Sequence, residues 1–297
     1  MALPRILSLI ADRNAGSLTA AQVAAAREMV AGGVPRILSD GEAAEIPCPA
    51  HSFSQPAIGV LRAAFAGKSI DVLFTRARGR RKGLLVADMD STIVASETLD
   101  DLAAHAGIGE KVAAITARSM NGEIDFAEAL RERVALLKGL DTGALERTLA
   151  GIELTPGART LVATMQAHNA RCALVSGGFT WFTSRIAALC GFDEHHANAL
   201  EAAEDRLTGV VGGPILGRAA KREILHRLAE ARGLRLSATL AVGDGANDLD
   251  MLAEAGLGIA FHAKPVVRQA VETRIDHADL RALLFAQGYP ADAFVEG

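Results

Sequence analysis

Cysteine is scarce in this chain, and what there is cannot build a framework. Cys48, Cys172 and Cys190 are an odd number with no metal-ligand spacing. Two of them, Cys172 and Cys190, sit inside apolar segments, which points to buried free thiols and a reducing compartment. Positive charge is not in excess either: the formal net charge is −4, giving no global electrostatic reason to bind nucleic acid. No uninterrupted apolar run approaches the ~18 residues of a membrane helix. The opening MALPRILSLIADRN is cut short by Asp12 and Arg13, too early for a secretory leader, so the cytoplasm is the expected location. Internal repeats and low-complexity tracts do not stand out.

What is present is a sequence that can fold. Half of its 297 residues are hydrophobic and 22% are charged, enough for one large domain or two smaller ones. The first stretch reads as strand (RILSLIA), helix (TAAQVAAAREMVAG), strand (VPRILS), strand (EAAEIPC), helix (QPAIGVLRAAFAG) and strand (SIDVLF). That βαββαβ order predicts a small ferredoxin-like α+β domain over residues 1–78. The run RARGRRK that follows lacks interleaved aromatics, and a solvated linker is favoured over a nucleic-acid patch.

From Gly83 the rhythm changes. GLLVAD, RCALVS, LSATLAV, LGIAF and TRID are strand-length apolar runs separated by helical stretches. Such runs indicate strands buried on both faces, hence a parallel, Rossmann-like α/β sheet over residues 79–297. Between the first two strands lie four segments of helical periodicity bounded by glycines, at about residues 97–155. They are too long for a simple crossover and predict an inserted helical cap.

Ligands of open α/β sheets gather at the carboxyl ends of strands, so the polar residues there are read together. The first strand ends in Asp88, Asp90 and Thr92, the second in Ser176, Gly177 and Gly178. Another carries Asp244, Asn247 and Asp248, and Lys221 opens the helix KREILHRLAEA. Singly, each has a plain explanation: helix caps for the aspartates, a flexible turn for the glycines, a solvated lysine. Four carboxylates at one sheet edge, however, would repel one another unless a cation sat among them. An oxygen-rich set of this kind suits Mg²⁺. Ser176 and Gly177 offer donors for phosphate oxygens, and Lys221 a point charge. The constellation indicates phosphoryl transfer, and no glycine-rich nucleotide signature suggests that the phosphate belongs to ATP.

DMDST, SGGF, the lysine of AKREIL and GDGANDLDM resemble, in order, the four motifs of the haloacid dehalogenase superfamily. DMDSTIVASETLDDLA, ITARSMNGEIDFAEALRERVALLKG and VGDGANDLDMLAEAGLGIAFHAKP are further similar to its phosphoserine phosphatase family, from Gly83 to the C-terminus. The resemblance implies Asp88 as nucleophile and Asp90 as general acid and then base. It implies Ser176, Gly177 and Lys221 around the transferring phosphoryl group, with Asn247 helping to position it. Mg²⁺ would be held by Asp88, the main-chain carbonyl of Asp90 and Asp244, with Asp248 close by. In the cap it implies Glu97 for the ammonium of O-phosphoserine, Arg133 for its carboxylate, and Met120 and Phe126 as an apolar wall. The ordinary alternatives are a helix-terminal Glu97 and cap-core packing for Met120 and Phe126. Met89 departs from the family, where phenylalanine is frequent between the aspartates, and is expected to change packing only. ADRNAGSLTAAQV resembles the opening of an amino-acid-binding ACT domain, so serine binding, homodimerisation or simple packing on the core are open roles for the first domain. Rival functions are a phosphatase or phosphotransferase acting on another small phosphomonoester, such as phosphothreonine or phosphohomoserine, and a phospho-aspartate switch or amino-acid sensor. Asp90 argues against a switch, since a long-lived phospho-aspartate is better served without it.

Overall fold

The computed structural model describes residues 5–49 and 55–297, with side-chain detail for all of these except residues 55–57 and Met120. β1 (Arg5–Ala11), α1 (Ala20–Met29), β2 (Arg36–Ser39), β3 (Ala43–Cys48), α2 (Gln55–Ala64) and β4 (Ile70–Arg76) form the first unit, with strand order β2-β3-β1-β4. Thr19 starts α1 through a reciprocal capping box with Gln22. One side of the sheet buries Leu7, Leu9, Val23, Ala26 and Leu61. Ile10, Leu38, Ala43 and Leu73 instead join the main core of the chain, so the sheet is covered on both faces.

The second sheet has seven strands in the order β11-β10-β9-β5-β6-β7-β8. Its centre is β5 (Leu84–Ala87), entirely buried, flanked in parallel by β6 (Arg171–Phe179) and β9 (Thr239–Gly243). β10 (Leu257–Phe261) and β11 (Arg274–Ile275) continue in parallel on one side. Helices α7 (Ala158–Ala167), α8 (Thr180–Cys190), α9 (Arg218–Ala231), α10 (Leu249–Glu254), α11 (Pro265–Ala270) and α12 (Ala282–Ala286) alternate with these strands. The expected α/β core is therefore present.

The far edge was not anticipated. β7 (Glu194–Ala203) runs parallel to β6, but β8 (Arg206–Gly212) turns back antiparallel to it, making the sheet mixed. The hairpin turns at Glu204 and Asp205, both at positive φ (50° and 59°), as a two-residue primed turn requires.

The cap is an excursion after β5. Its stems touch through an antiparallel bridge between Val94 and Leu154. Between them lie α3 (Thr98–Ala104), α4 (Gly109–Met120), α5 (Phe126–Ala135) and α6 (Gly143–Gly151). The β7–β8 hairpin braces them: Gly139 donates to Leu207 O (2.8 Å) and Leu207 to Leu140 O (2.8 Å).

In the linker Arg76, Arg78 and Arg81 are exposed, as expected of a solvated charge run, but Arg80 and Lys82 are not. Arg80, 10% exposed, pairs with Glu45 (2.5 Å), and Lys82, 7% exposed, donates to the carbonyls of Gly79 and Ser237. Arg80 also reaches the carbonyls of Phe285 and Ala286, so it ties β3 to α12. Cys48, Cys172 and Cys190 are all buried free thiols. Among the described residues no helix is long and apolar enough to cross a membrane.

Candidate active site

Three adjacent parallel strands deliver the site. Asp244 follows β9, Asp88 follows β5, and Ser176 lies near the end of β6, so the strand order alone brings them side by side. Asp88 is anchored by its amide to Val242 O (3.0 Å). Ser91 then adopts φ +53°, a left-handed turn in which its hydroxyl donates to Glu97 Oε1 (2.8 Å). Asp90 is held from two sides: Oδ1 accepts from the Thr98 amide (2.8 Å), Oδ2 from Ser176 Oγ (3.2 Å).

Lys221, fully buried on α9, reaches Asp88 Oδ1 and Asp248 Oδ1, each at 2.7 Å. One carboxylate oxygen from each of Asp88, Asp244 and Asp248 lies within 4.8 Å of the others. Three buried carboxylates share Lys221 and, at Asp244 Oδ2, Lys264 (3.4 Å), which still leaves the cluster one positive charge short. An all-oxygen donor set with an unbalanced negative charge fits a hard divalent cation.

The electrostatics follow from burial. Desolvation, then the neighbouring Asp248, raises the Asp88 carboxyl well above the usual range, and Lys221 pulls it back. Asp90 is raised by burial, against the Thr98 amide and Ser176. Asp244 is pushed up to about 7, by burial and by Asp248. Glu97 rises to about 8, by burial and by Asp90 and Asp244. Burial works against charge on Lys221, but Asp248 and Asp88 outweigh it and its pKa is raised. Arg133 is lowered by burial.

A small pocket opens between sheet and cap. Asp88, Asp90, Asp244, Asn247, Gly177 and Gly178 line its floor; Glu97, Phe126 and Arg133 come from the cap. Ser176, Lys221 and Asp248 stand behind this lining and act through the groups in front. The Phe126 ring packs directly on Gly177, where an added Cβ would lie 2.5 Å from Phe126 Cζ. Met120 ends α4, and its side chain lies outside the described residues.

Several participants were not singled out from the sequence. Asn198 on β7 donates to Gly177 O (2.8 Å) and accepts from the Leu216 amide (2.6 Å), fixing the glycine pair where the β6–β7 register shifts. Gly243 leaves room for Asp248, whose Cγ would lie 2.4 Å from a Cβ there. Lys264 places Nζ 3.4 Å from Asp244 Oδ2 and 3.8 Å from Glu97 Oε1, bridging floor and cap. The lysine in AKP, just beyond the GDGAND segment, was the available signal for this last one.

The open α/β sheet and its buried carboxylate cluster fit the hydrolases that carry such a cluster at the carboxyl ends of their strands. The chain belongs to the haloacid dehalogenase-like hydrolase family, whose model matches residues 85–253. It is similar to the phosphoserine phosphatase of Streptomyces coelicolor, 46% identical over 226 residues that cover 76% of this chain and 55% of that one. The phosphoserine phosphatase of Streptococcus thermophilus is 47% identical over 67% of this chain and 93% of its own. A solved structure described as a phospho-aspartyl intermediate analogue of phosphoserine phosphatase superposes with a TM-score of 0.67 at 40% identity, over 69% of this chain and 98% of that one. The chain spans 51–62% of the length of three of the relatives it matches, from Streptomyces coelicolor, Archaeoglobus fulgidus and Mycobacterium tuberculosis.

Proposed function

We propose that this chain is a phosphoserine phosphatase that hydrolyses O-phosphoserine to serine and phosphate, the last step of serine formation. The observation that carries the reading is the lining of one cavity. Asp88 and Asp90 share it with one cap carboxylate, Glu97, and one cap guanidinium, Arg133. A phosphomonoester with an ammonium and a carboxylate at its other end has a partner for each group.

In this mechanism an Asp88 carboxylate oxygen attacks phosphorus as the bond to the serine oxygen breaks. Asp90, whose hold on a proton is strengthened by burial, gives that proton to the leaving oxygen. Asp90 then takes a proton from the water that attacks the aspartyl-phosphate, and the Asp88 oxygen leaves. The Thr98 amide and Ser176 hydroxyl hold Asp90 in place for both transfers. Ser176 also fixes the glycine pair by accepting from the Gly178 amide (2.8 Å). Lys221 orients Asp88 and favours its ionised form against burial and Asp248. Asp88, Asp244 and the main-chain carbonyl of Asp90, supported by Asp248, would hold Mg²⁺, whose charge offsets that of the phosphoryl group when bound.

Residues 1–78 fit an ACT-like unit and residues 79–297 a phosphatase unit with its cap at about 97–155; the antiparallel four-stranded sheet of the first supports this division. Three buried free thiols support a cytoplasmic setting.

The test is kcat/KM across O-phosphoserine, phosphothreonine, phosphohomoserine and sugar phosphates. O-phosphoserine is expected to lead, and a higher value for another ester would replace it as substrate. In the same panel, Arg133→Ala should raise KM for phosphoserine roughly tenfold to a hundredfold, the worth of a charged hydrogen-bonded contact. An ester without a carboxylate should be spared; equal losses on both would remove Arg133 from recognition.

Glu97 gives a pH signature. Its carboxyl titrates near 8 in the empty site, so it is neutral below that pH and ionised above. The substrate ammonium pairs with the ionised form, so KM should fall as pH rises through about 8. Glu97→Gln should flatten that segment of the profile; an unchanged slope would assign the pH dependence to another group.

A further inference from the structure

Arg133 raises a physical difficulty that its neighbours resolve. The side chain is 3% exposed, and a buried guanidinium needs compensating negative charge. A carboxylate forked directly onto it would supply that charge, but would occupy the donors that a substrate carboxylate needs. Neither extreme is found. Arg133 Nε donates to Ala129 O of its own helix (3.2 Å), and Nη1 donates to Thr116 Oγ1 (2.9 Å). Thr116 in turn donates to Asp100 Oδ1 (2.5 Å). Among the described residues Arg133 makes no direct ion pair with a carboxylate; Asp100 stands one hydroxyl away.

The three residues come from three cap helices, α3, α4 and α5, so the relay is a tertiary construction. Thr116, 3% exposed, also lies 3.1 Å from Val112 O, one turn earlier in its own helix. An arginine merely packed into the cap would need no such arrangement.

We propose that Thr116 is a positioning residue for carboxylate recognition. Its hydroxyl fixes one guanidinium nitrogen and separates Asp100 from Arg133, so that the compensating charge stays near while the remaining donors face the cavity. The role lies in substrate selection, upstream of the chemistry on Asp88. It rests on the reading of Arg133 as the carboxylate partner of phosphoserine.

The test compares O-phosphoserine with phosphoethanolamine, which keeps the ammonium and phosphate but lacks the carboxylate. Thr116→Val keeps the shape and removes the hydroxyl. It is expected to raise KM for phosphoserine roughly tenfold, with kcat changed less than about threefold, as loss of a hydrogen bond to a charged group predicts. KM for phosphoethanolamine should stay within about twofold, inside the range of a substitution that removes no contact to that substrate. Thr116→Ser, which restores the hydroxyl, should restore KM, and it serves as the reference should the valine variant fold poorly. In the Arg133→Ala background the Thr116→Val penalty should vanish, since the two act through one contact.

Equal losses on both substrates, no loss, additive penalties in the double variant, or failure of serine to rescue would each overturn the role of Thr116. If Arg133→Ala itself affects both substrates equally, the parent reading of Arg133 falls instead. If Arg133→Ala is selective and Thr116→Val is not, only the relay falls.

Discussion

Asp88→Asn is expected to abolish phosphate release while leaving the metal-free protein as stable as the wild type or more so. The first half follows from chemistry: a neutral amide cannot form the acyl-phosphate, and loss of a covalent nucleophile costs on the order of 10⁴-fold or more in turnover. The second half follows from the packing of charge. Asp88 is one of three buried carboxylates whose oxygens lie within 4.8 Å, and Asp248 and Asp244 both push its proton affinity up. Neutralising one member relieves repulsion, while Lys221 keeps its 2.7 Å contact with Asp248. Multiple-turnover phosphate release together with urea unfolding in chelator measures both halves. Turnover near the wild-type rate would show that another group makes the intermediate.

Lys221→Met should also be inactive, but with the opposite sign in stability. The lysine is fully buried and touches Asp88 and Asp248 at 2.7 Å each. Its removal leaves two buried carboxylates without their cation, a loss of about 3–5 kcal/mol for breaking a buried pair. Turnover should fall about 10²–10³-fold, the usual consequence of removing one preorganised electrostatic contact. The two variants thus separate along the unfolding axis even though activity alone would not distinguish them. A methionine variant that unfolded at the wild-type midpoint without metal would contradict the charge balance drawn here.

How far the sequence led can be read element by element. The strands β5, β6 and β9 were legible because their apolar runs are continuous, and parallel order then forced Asp88, Ser176 and Asp244 onto one edge. The cap was legible through helical periodicity broken by glycines. The β7–β8 hairpin was not: EHHANALEAA is rich in alanine and glutamate, which do not favour strands, and its Glu204-Asp205 turn lacks the usual glycine. Missing that hairpin also hid Asn198, whose partners Gly177 and Leu216 lie 21 and 18 residues away. The charged linker was legible only in part, for a related reason: Arg76, Arg78 and Arg81 are exposed, Arg80 and Lys82 are not. Arg80 and Lys82 are buried by groups such as Glu45, Ser237 and the carbonyls of Phe285 and Ala286, all distant in the chain.

One such distant partner bears on how the molecule is divided. Asp71 on β4 is buried, and its carboxylate accepts from the amides of Asp276 (2.7 Å), His277 (3.2 Å) and Ala278 (2.8 Å), in the loop after β11. Ala278 O in turn lies 3.0 Å from His262 Nε2, two residues before Lys264. The last loop of the larger sheet therefore draws its backbone partners from the smaller one, and a cut near residue 78 would orphan three donors at a stroke. Two units can be drawn on the sequence, but their interiors hold polar groups in common. In accounting for cohesion, the smaller sheet belongs to the foundation of the larger one and is no detachable appendage.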